Sequence, residues 1–244
     1  MQTVSSLTIC QDEEEYILHM LKFLNEIVKP DEYVIVDGGS LDSTVEVIEK
    51  FKEERGINLK LVKNPMPDSF SIQRNIALDN CSGDWILHID ADETYSESIK
   101  TLISSAKSEG YSKIFGFVFP TAHLIKDPFH MLEGCGADYH LRFFRNDSRI
   151  RYFGDVHEQI SFEGMPIING VDGFTLIYAN SIAMKHYSLI KNEEDLKIKG
   201  KRYLQWLKRS QEAGIPLTDE NHFIRTRDSA ITEGKFKELP KEWY

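Results

Sequence analysis

Over the first 120 positions, short apolar runs alternate with longer stretches of helical spacing. Val4 to Ile9 predicts a strand. From Glu13 to Ile27, Ile17, Leu18, Leu21 and Leu24 recur at helical intervals. Tyr33 to Val36 predicts a buried strand that ends in Asp37-Gly38-Gly39, and Thr44 to Phe51 a helix with Ser40 or Asp42 placed to cap it. Leu59–Val62, Trp85–Ile89 and Ile114–Phe119 predict further strands, the last closed by Pro120. Ser69–Leu78 and Ser96–Ala106 predict helices. This βαβαβαβ rhythm predicts an α/β protein with a mostly parallel central sheet and helices on both faces.

The rhythm stops at Pro120. Residues 121 to 138 show little periodicity and predict a long loop, a kind of segment that is more often functional than idle. Strands are predicted at His140–Phe144, Ile150–Tyr152, Val156–Phe162 and Thr175–Tyr178. A long helix is predicted at Asn192–Gln211, and the last 27 residues are polar and of uncertain structure. The expectation is a nucleotide-binding-type half and a mixed second half fused into one sheet.

Composition narrows the class. At 244 residues and 41% hydrophobic, the chain can bury a core without staples. No apolar run approaches the ~20 residues of a membrane span, and the N-terminus reads as free of a signal peptide. Cys10, Cys81 and Cys135 fit neither a disulfide framework nor a metal knuckle, so a reducing, cytoplasmic setting is expected. Net charge is −10, which speaks against a nucleic-acid partner. Residues 1–190 hold 17 basic and 29 acidic residues, whereas 191–244 hold 12 and 10. All of the acidic excess therefore precedes residue 191.

In an open α/β sheet, ligands bind beyond the carboxyl ends of the strands. Carboxylates end three of the predicted strands: Asp12 after the first, Asp37 after the second, and Asp90, Asp92 and Glu93 after the fourth. Asp90 and Asp92 are two apart, so an extended backbone turns both to one side. Such a pair suits a divalent cation that also takes substrate phosphate oxygens, although an isolated D-x-D is commonly a solvated turn. Asp37 suits a base imide or a ribose hydroxyl, or equally its own turn. Arg74 suits the acidic cluster or a phosphate. His157 and His186 follow strand-like runs and suit a divalent ion, and a neighbouring carboxylate suits a general base.

Four stretches together resemble the inverting family 2 glycosyltransferases. They are Ser6–Glu14; Val34–Thr44; Gln73–Leu78 with Gly83–Glu93; and Leu141–Arg145 with Val156-His157-Glu158 and His186. The last is similar to a bacterial subgroup that includes lipopolysaccharide-core glucosyltransferases. The resemblance covers residues 4 to about 190. It implies a GT-A fold over 1–190, with 1–120 binding the nucleotide sugar and 121–190 the acceptor, and a C-terminal helical extension at 191–244. It further implies that Cys10, Asp12, Asp37, Gly39, Arg74, Asp90 and Ala91 bind a nucleoside-diphosphate sugar, expected to be UDP-linked. Asp90, Asp92 and His186 would hold manganese or magnesium. Glu158 would be the base, with Asp155 and Glu93 as rivals. The acceptor would be a hydroxyl of a glycan, glycolipid or other compound. Cys10 and Asp12 depart from the family's usual Thr and Asn, and Gly38 from a frequent second Asp.

Two other readings compete. Asp90-Ala91-Asp92-Glu93-Thr94 also fits the D-x-D-x-T signature of haloacid-dehalogenase phosphatases, with Asp90 as nucleophile. That motif usually opens its fold, whereas here three strand–helix units precede it. The other is a non-catalytic nucleotide-sugar-binding protein. Lys191 to Arg209 carries seven basic and three acidic residues, with Tyr203, Trp206 and Leu207 on one helical face. A peripheral contact at the inner face of the membrane, or a homodimer through this helix, is one expectation; a core-packed helix with a solvated basic face is preferred.

Overall fold

The computed structural model describes the chain except residues 67–68, 109–110, 135–137, 156–157, 168–169 and 211–218, and except the side chains of 202–203 and 205–210. Cys135 and His157 lie outside the described residues, as do the side chains of Tyr203, Trp206 and Leu207.

The predicted alternation is present. Strand β1 (Val4–Cys10) leads into α1 (Glu14–Phe23), which ends in a π turn at Leu24–Val28. Then come β2 (Glu32–Asp37), α2 (Thr44–Arg55), β3 (Leu59–Lys63), α3 (Phe70–Asp79) and β4 (Trp85–His88). These four strands are parallel, in the order β3-β2-β1-β4. Successive residues of β2 bury into opposite cores. Tyr33 and Ile35 pack with Ile17, Met20 and Leu21 of α1, whereas Val34 and Val36 pack with Ala77 and Leu78 of α3. Burial on both faces is why β2 reads as the unbroken apolar run Tyr33–Val36 rather than as an alternating one.

The sheet continues antiparallel through β8 (Tyr139–Arg145) to β6 (Ile114–His123), then to β13 (Met184–His186) and β5 (Glu93–Tyr95). Strand β12 (Thr175–Tyr178) also pairs with β6, in parallel. Helix α4 (Ile99–Lys107) joins β5 to β6. Strands β9 (Ile150–Phe153), β10 (Gln159–Phe162) and β11 (Met165–Pro166) form a small separate sheet. The C-terminal segment holds α5 (Glu193–Ser210), α6 (His222–Thr232) and β14 (Phe236–Glu238); β14 pairs with β7 (His130–Leu132). Leu239 and Trp243 pack with Ala122, Leu124, Met131 and Tyr187.

Two expectations are corrected. Pro120 does not close β6, which runs on to His123. The Thr121 amide donates to Asp138 on the β8 side, so Pro120 turns its missing N–H to the other edge. There the β12 pairing has ended at Val118 and the β13 pairing has not begun, so no ladder donor is lost. The segment 121–138 is accordingly not a plain loop: it holds the end of β6 and the whole of β7.

Candidate functional site

Parallel pairing brings the carboxyl ends of β1, β2 and β4 to one edge, with Cys10 in register with Asp37. A cleft of about 1570 Å³ opens there. Of the sequence-predicted residues, Cys10, Asp12, Arg74, Asp90, Ala91, Asp92, Glu158 and His186 line it.

Asp37 and Gly39 do not line it. The Asp37 carboxylate accepts the Gly39 amide at 3.0 Å and the Ser40 hydroxyl at 2.5 Å. Ser40 Oγ in turn accepts the Asp12 amide at 2.9 Å, and Asp12 Oδ1 accepts the Leu41 amide at 2.6 Å. These bonds knit the two strand-end turns into one rim. Gly39 has φ +89°, a left-handed conformation that suits glycine.

Asp90 is held by two guanidinium groups. Arg74 Nη1 lies 2.6 Å from Oδ1, and Arg142 Nη1 lies 3.3 Å from Oδ2. Burial opposes the charge, but Arg74 and then Arg142 outweigh it and keep the carboxyl well below the usual carboxylate range. Both arginines also bond His88 Nε2, and Tyr152 bonds its Nδ1 at 2.9 Å. Burial, then Arg142 and Arg74, hold this imidazole neutral. Arg74 Nε also donates to Glu158, so one guanidinium links Asp90 to the proposed base. Glu93 turns inward: it accepts the Asp90 amide at 2.9 Å and Arg142 Nη2 at 3.1 Å, and burial pushes its carboxyl up to about 8. Asp155, the other rival base, accepts the Phe70 amide through its carbonyl.

Asp92 has different partners. Lys191 Nζ lies 3.1 Å from Oδ2 and Lys199 Nζ 3.6 Å from it, while His186 Nε2 lies 3.5 Å from Oδ1. Lys191 also bonds both Glu13 oxygens, at 2.8 and 2.6 Å. Burial lowers the pKa of His186 to about 4 against the pull of Asp92, so the ring is neutral. Its Nδ1 meets His123 Nδ1 at 3.1 Å. If His186 donates there, its Nε2 lone pair faces the Asp92 carboxylate.

The cations are what sequence reasoning missed. Lys191 and Lys199 were read as part of a basic helix, and Arg142 had no assigned partner. His88 left one signal, a lone histidine inside the apolar run Trp85–Ile89. The phosphatase reading needs Asp90 as an available nucleophile, whereas Arg74 and Arg142 engage both of its oxygens. Among the described residues, no helix is long and apolar enough to cross a membrane.

The chain is similar over 160 residues to a TPR repeat-containing protein of Synechococcus elongatus, at 30% identity, covering 66% of this chain and 36% of that one. It is 30% identical over 100 residues to the lipopolysaccharide core biosynthesis glycosyltransferase LpsC of Rhizobium meliloti (41% and 35% of the two chains). It is 31% identical over 146 residues to the glycosyltransferase SunS of Bacillus subtilis (57% and 31%). It thus spans about a third of the length of these curated relatives. Two solved structures share the fold at 15% identity. One is the mannosyltransferase PcManGT from Pyrobaculum calidifontis in complex with GDP-Man and Mn2+, with a TM-score of 0.55, covering 96% of this chain and 75% of that one. The other is S. aureus TarS 1-349, with a TM-score of 0.52, covering 91% and 69%. These neighbours bear out the expected GT-A architecture. The glycosyl transferase family 2 model matches residues 5–153, more than half of the sequence and the part that carries Asp90, Asp92 and both arginines, so the chain belongs to glycosyl transferase family 2.

Proposed function

We propose that the protein transfers a sugar from a nucleoside-diphosphate sugar, UDP-linked in the first instance, to an acceptor hydroxyl with inversion at the anomeric carbon. The observation that carries this reading is the placement of Asp90, Asp92 and Glu158 around one cleft at the strand ends, with Arg74 joining two of them. The GDP-Man and Mn2+ bound to PcManGT support a nucleoside-diphosphate-sugar donor.

A divalent ion, Mn2+ or Mg2+, fits the residues present. Asp92 Oδ1 and the neutral His186 Nε2 are two donors 3.5 Å apart. Among the described residues no third His, Cys, Asp or Glu completes a closed cage. An open pair of this kind suits an ion that shares its other positions with diphosphate oxygens. When bound, the ion would supply Lewis-acid stabilisation of the leaving diphosphate.

The chain's own groups do the rest. The Asp12–Ser40–Asp37 rim shapes the nucleotide end. Lys191 and Lys199 bring positive charge to the diphosphate position beside Asp92. Arg74 fixes the Glu158 carboxylate, which takes the acceptor proton as the hydroxyl attacks. Glu158 lines the cleft, whereas Glu93 is spent on Asp90 and Arg142.

Calorimetry with UDP and GDP, with and without Mn2+, tests donor binding. Turnover of a nucleotide-sugar panel tests transfer. Glu158→Gln should bind donor and lose transfer, and Asp92→Asn should lose the metal-dependent part of donor binding. Absence of binding and turnover across the panel, with either metal, would overturn the reading.

A further inference from the structure

On the far side of β4 from the nucleotide rim, the cleft wall is made by β6 with β8 on one edge and β12 on the other. Register sets Tyr178 beside Val118 on the β12 side. On the β8 side, Phe143 pairs with Phe117 but Leu141, not Arg142, pairs with Val118. Arg142 is therefore the extra residue of a β-bulge. A bulge switches which side chains share a face. Without it Tyr139 would fall on the opposite face from Tyr178; with it Tyr139 pairs with Pro120, on the face of Val118 and Tyr178. Gly116 allows this packing. A Cβ there would lie 2.7 Å from Leu141 Cδ1 and 2.7 Å from the Phe143 carbonyl oxygen.

The two tyrosine rings meet above Val118. Their centroids are 5.6 Å apart at an angle of 68°. Tyr139 is 39% exposed and Tyr178 58%, and both line the cleft. The Tyr139 hydroxyl donates to Asn180 Oδ1 at 3.1 Å. Asp138 and His140, 3.1 Å apart, border the same stretch.

We propose that Tyr139 and Tyr178 form the acceptor platform and that its occupant is a pyranose ring, which makes the acceptor a saccharide. A pyranose has a C–H face and a hydroxyl rim. Two rings set at an angle offer a corner of aromatic surface to the face. The tyrosine hydroxyls, Asn180, Asp138 and His140 offer partners to the rim. An acyl chain would cover these polar groups, taking them from water while offering no hydrogen bond of its own. A nucleobase would belong at the β1–β2 rim, across β4. The inference rests on the transferase reading and adds the class of acceptor to it.

Saturation-transfer NMR on the full chain, without donor, tests it. The probes are methyl pyranosides of glucose, galactose, mannose and N-acetylglucosamine, with hexanol and a serine-containing peptide as non-sugar comparisons. At least one pyranoside should show transfer concentrated on ring C–H protons. Tyr139→Ala and Tyr178→Ala should each weaken it ~10-fold, equivalent to about 1.4 kcal/mol, while Tyr178→Phe, which keeps the ring, retains it. UDP affinity in the same variants, read by calorimetry, should match the wild type and confirms that they fold. No transfer to any pyranoside, transfer unchanged in the double alanine variant, or transfer to the peptide alone would overturn the platform. Failure of the wild type to bind both UDP and GDP would instead overturn the transferase reading beneath it.

Discussion

Lys191→Met separates charge from packing at Asp92. The ammonium sits 2.6 and 2.8 Å from the two Glu13 oxygens and 3.1 Å from Asp92, and its side chain is 5% exposed. Methionine keeps most of the volume and removes the charge. Removing one partner of a buried ion pair costs ~3–5 kcal/mol, because the other charge stays buried. Lys199 remains 3.6 Å from Asp92, so the lower end, ~3 kcal/mol, is expected. Lys199→Met should cost at most ~1 kcal/mol, since that side chain is partly exposed and more distant. Urea unfolding between pH 4 and pH 8 measures both. The sign follows from the carboxylates. Burial already holds Glu13 up at about 7 against the pull of Lys191; without the cation Glu13 rises further, and Asp92 loses the main charge that keeps its carboxyl low. Between the unfolded and folded values the native state binds more protons, so stability falls as pH rises. The deficit of Lys191→Met is therefore larger at pH 8 than at pH 4, since protonation of the two buried carboxyls relieves it as pH falls. An equal loss at both ends of the range would mean that Lys191 acts by packing, and the charge argument would be wrong.

Further outcomes follow from individual side chains. Glu93 is pushed up to about 8 by burial, from a reference of 4.5. The folded state therefore holds an extra proton between these values, and stability declines with rising pH by up to ~1.4 kcal/mol per unit. Glu93→Gln should flatten that decline in thermal melts, and parallel curves would refute it. Burial raises the thiols of Cys10, with Asp37 adding to it, and of Cys81. Peptide-resolved iodoacetamide labelling at neutral pH should find both slow in the native chain and fast in urea. Gly116→Ala places a Cβ 2.7 Å from the Phe143 carbonyl. It should destabilise by ~1–3 kcal/mol in urea titrations; a neutral result would mean that the strand pair shifts freely.

Legibility in the sequence followed how local each signal was. β2 and β4 stand out because burial on both faces gives the unbroken apolar runs Tyr33–Val36 and Trp85–Leu87. β5 and β7 are three residues each and are stabilised by partners far along the chain, so no window of sequence reveals them. Pro120 misled because its cost depends on which edge its nitrogen faces, a property of the pairing and not of the run. The carboxylates Asp90 and Asp92 were readable because strand ends are where an α/β sheet collects ligands. Their counter-charges were not. Lys191 reaches Glu13 across 178 positions and Arg142 reaches Glu93 across 49. Lysines and arginines on a helix or strand look like solvated surface until the fold brings an acid to them.

Asp90 and Asp92 are held by different kinds of cation. Asp90 is gripped by arginines whose side chains are 7% and 9% exposed, and these are braced by the neutral His88 and by Tyr152. Rearranging that network would strand several buried charges at once, so Asp90 serves as a fixed post for Arg142 and for Arg74, which also holds Glu158. Asp92 is met by ammonium groups on long flexible stems, and Lys199 is 29% exposed. An ammonium can leave a carboxylate for a phosphate oxygen at little geometric cost, whereas a guanidinium fixed in several bonds cannot. A diphosphate entering the cleft adds negative charge beside Asp92. On the transferase reading, the partly exposed Lys199 turns toward it while Lys191 stays on Glu13, and Asp92 Oδ1 with His186 is the side of the pair open to a divalent ion. The acidic excess before residue 191 thus becomes usable at this point through cations that the last quarter of the chain contributes.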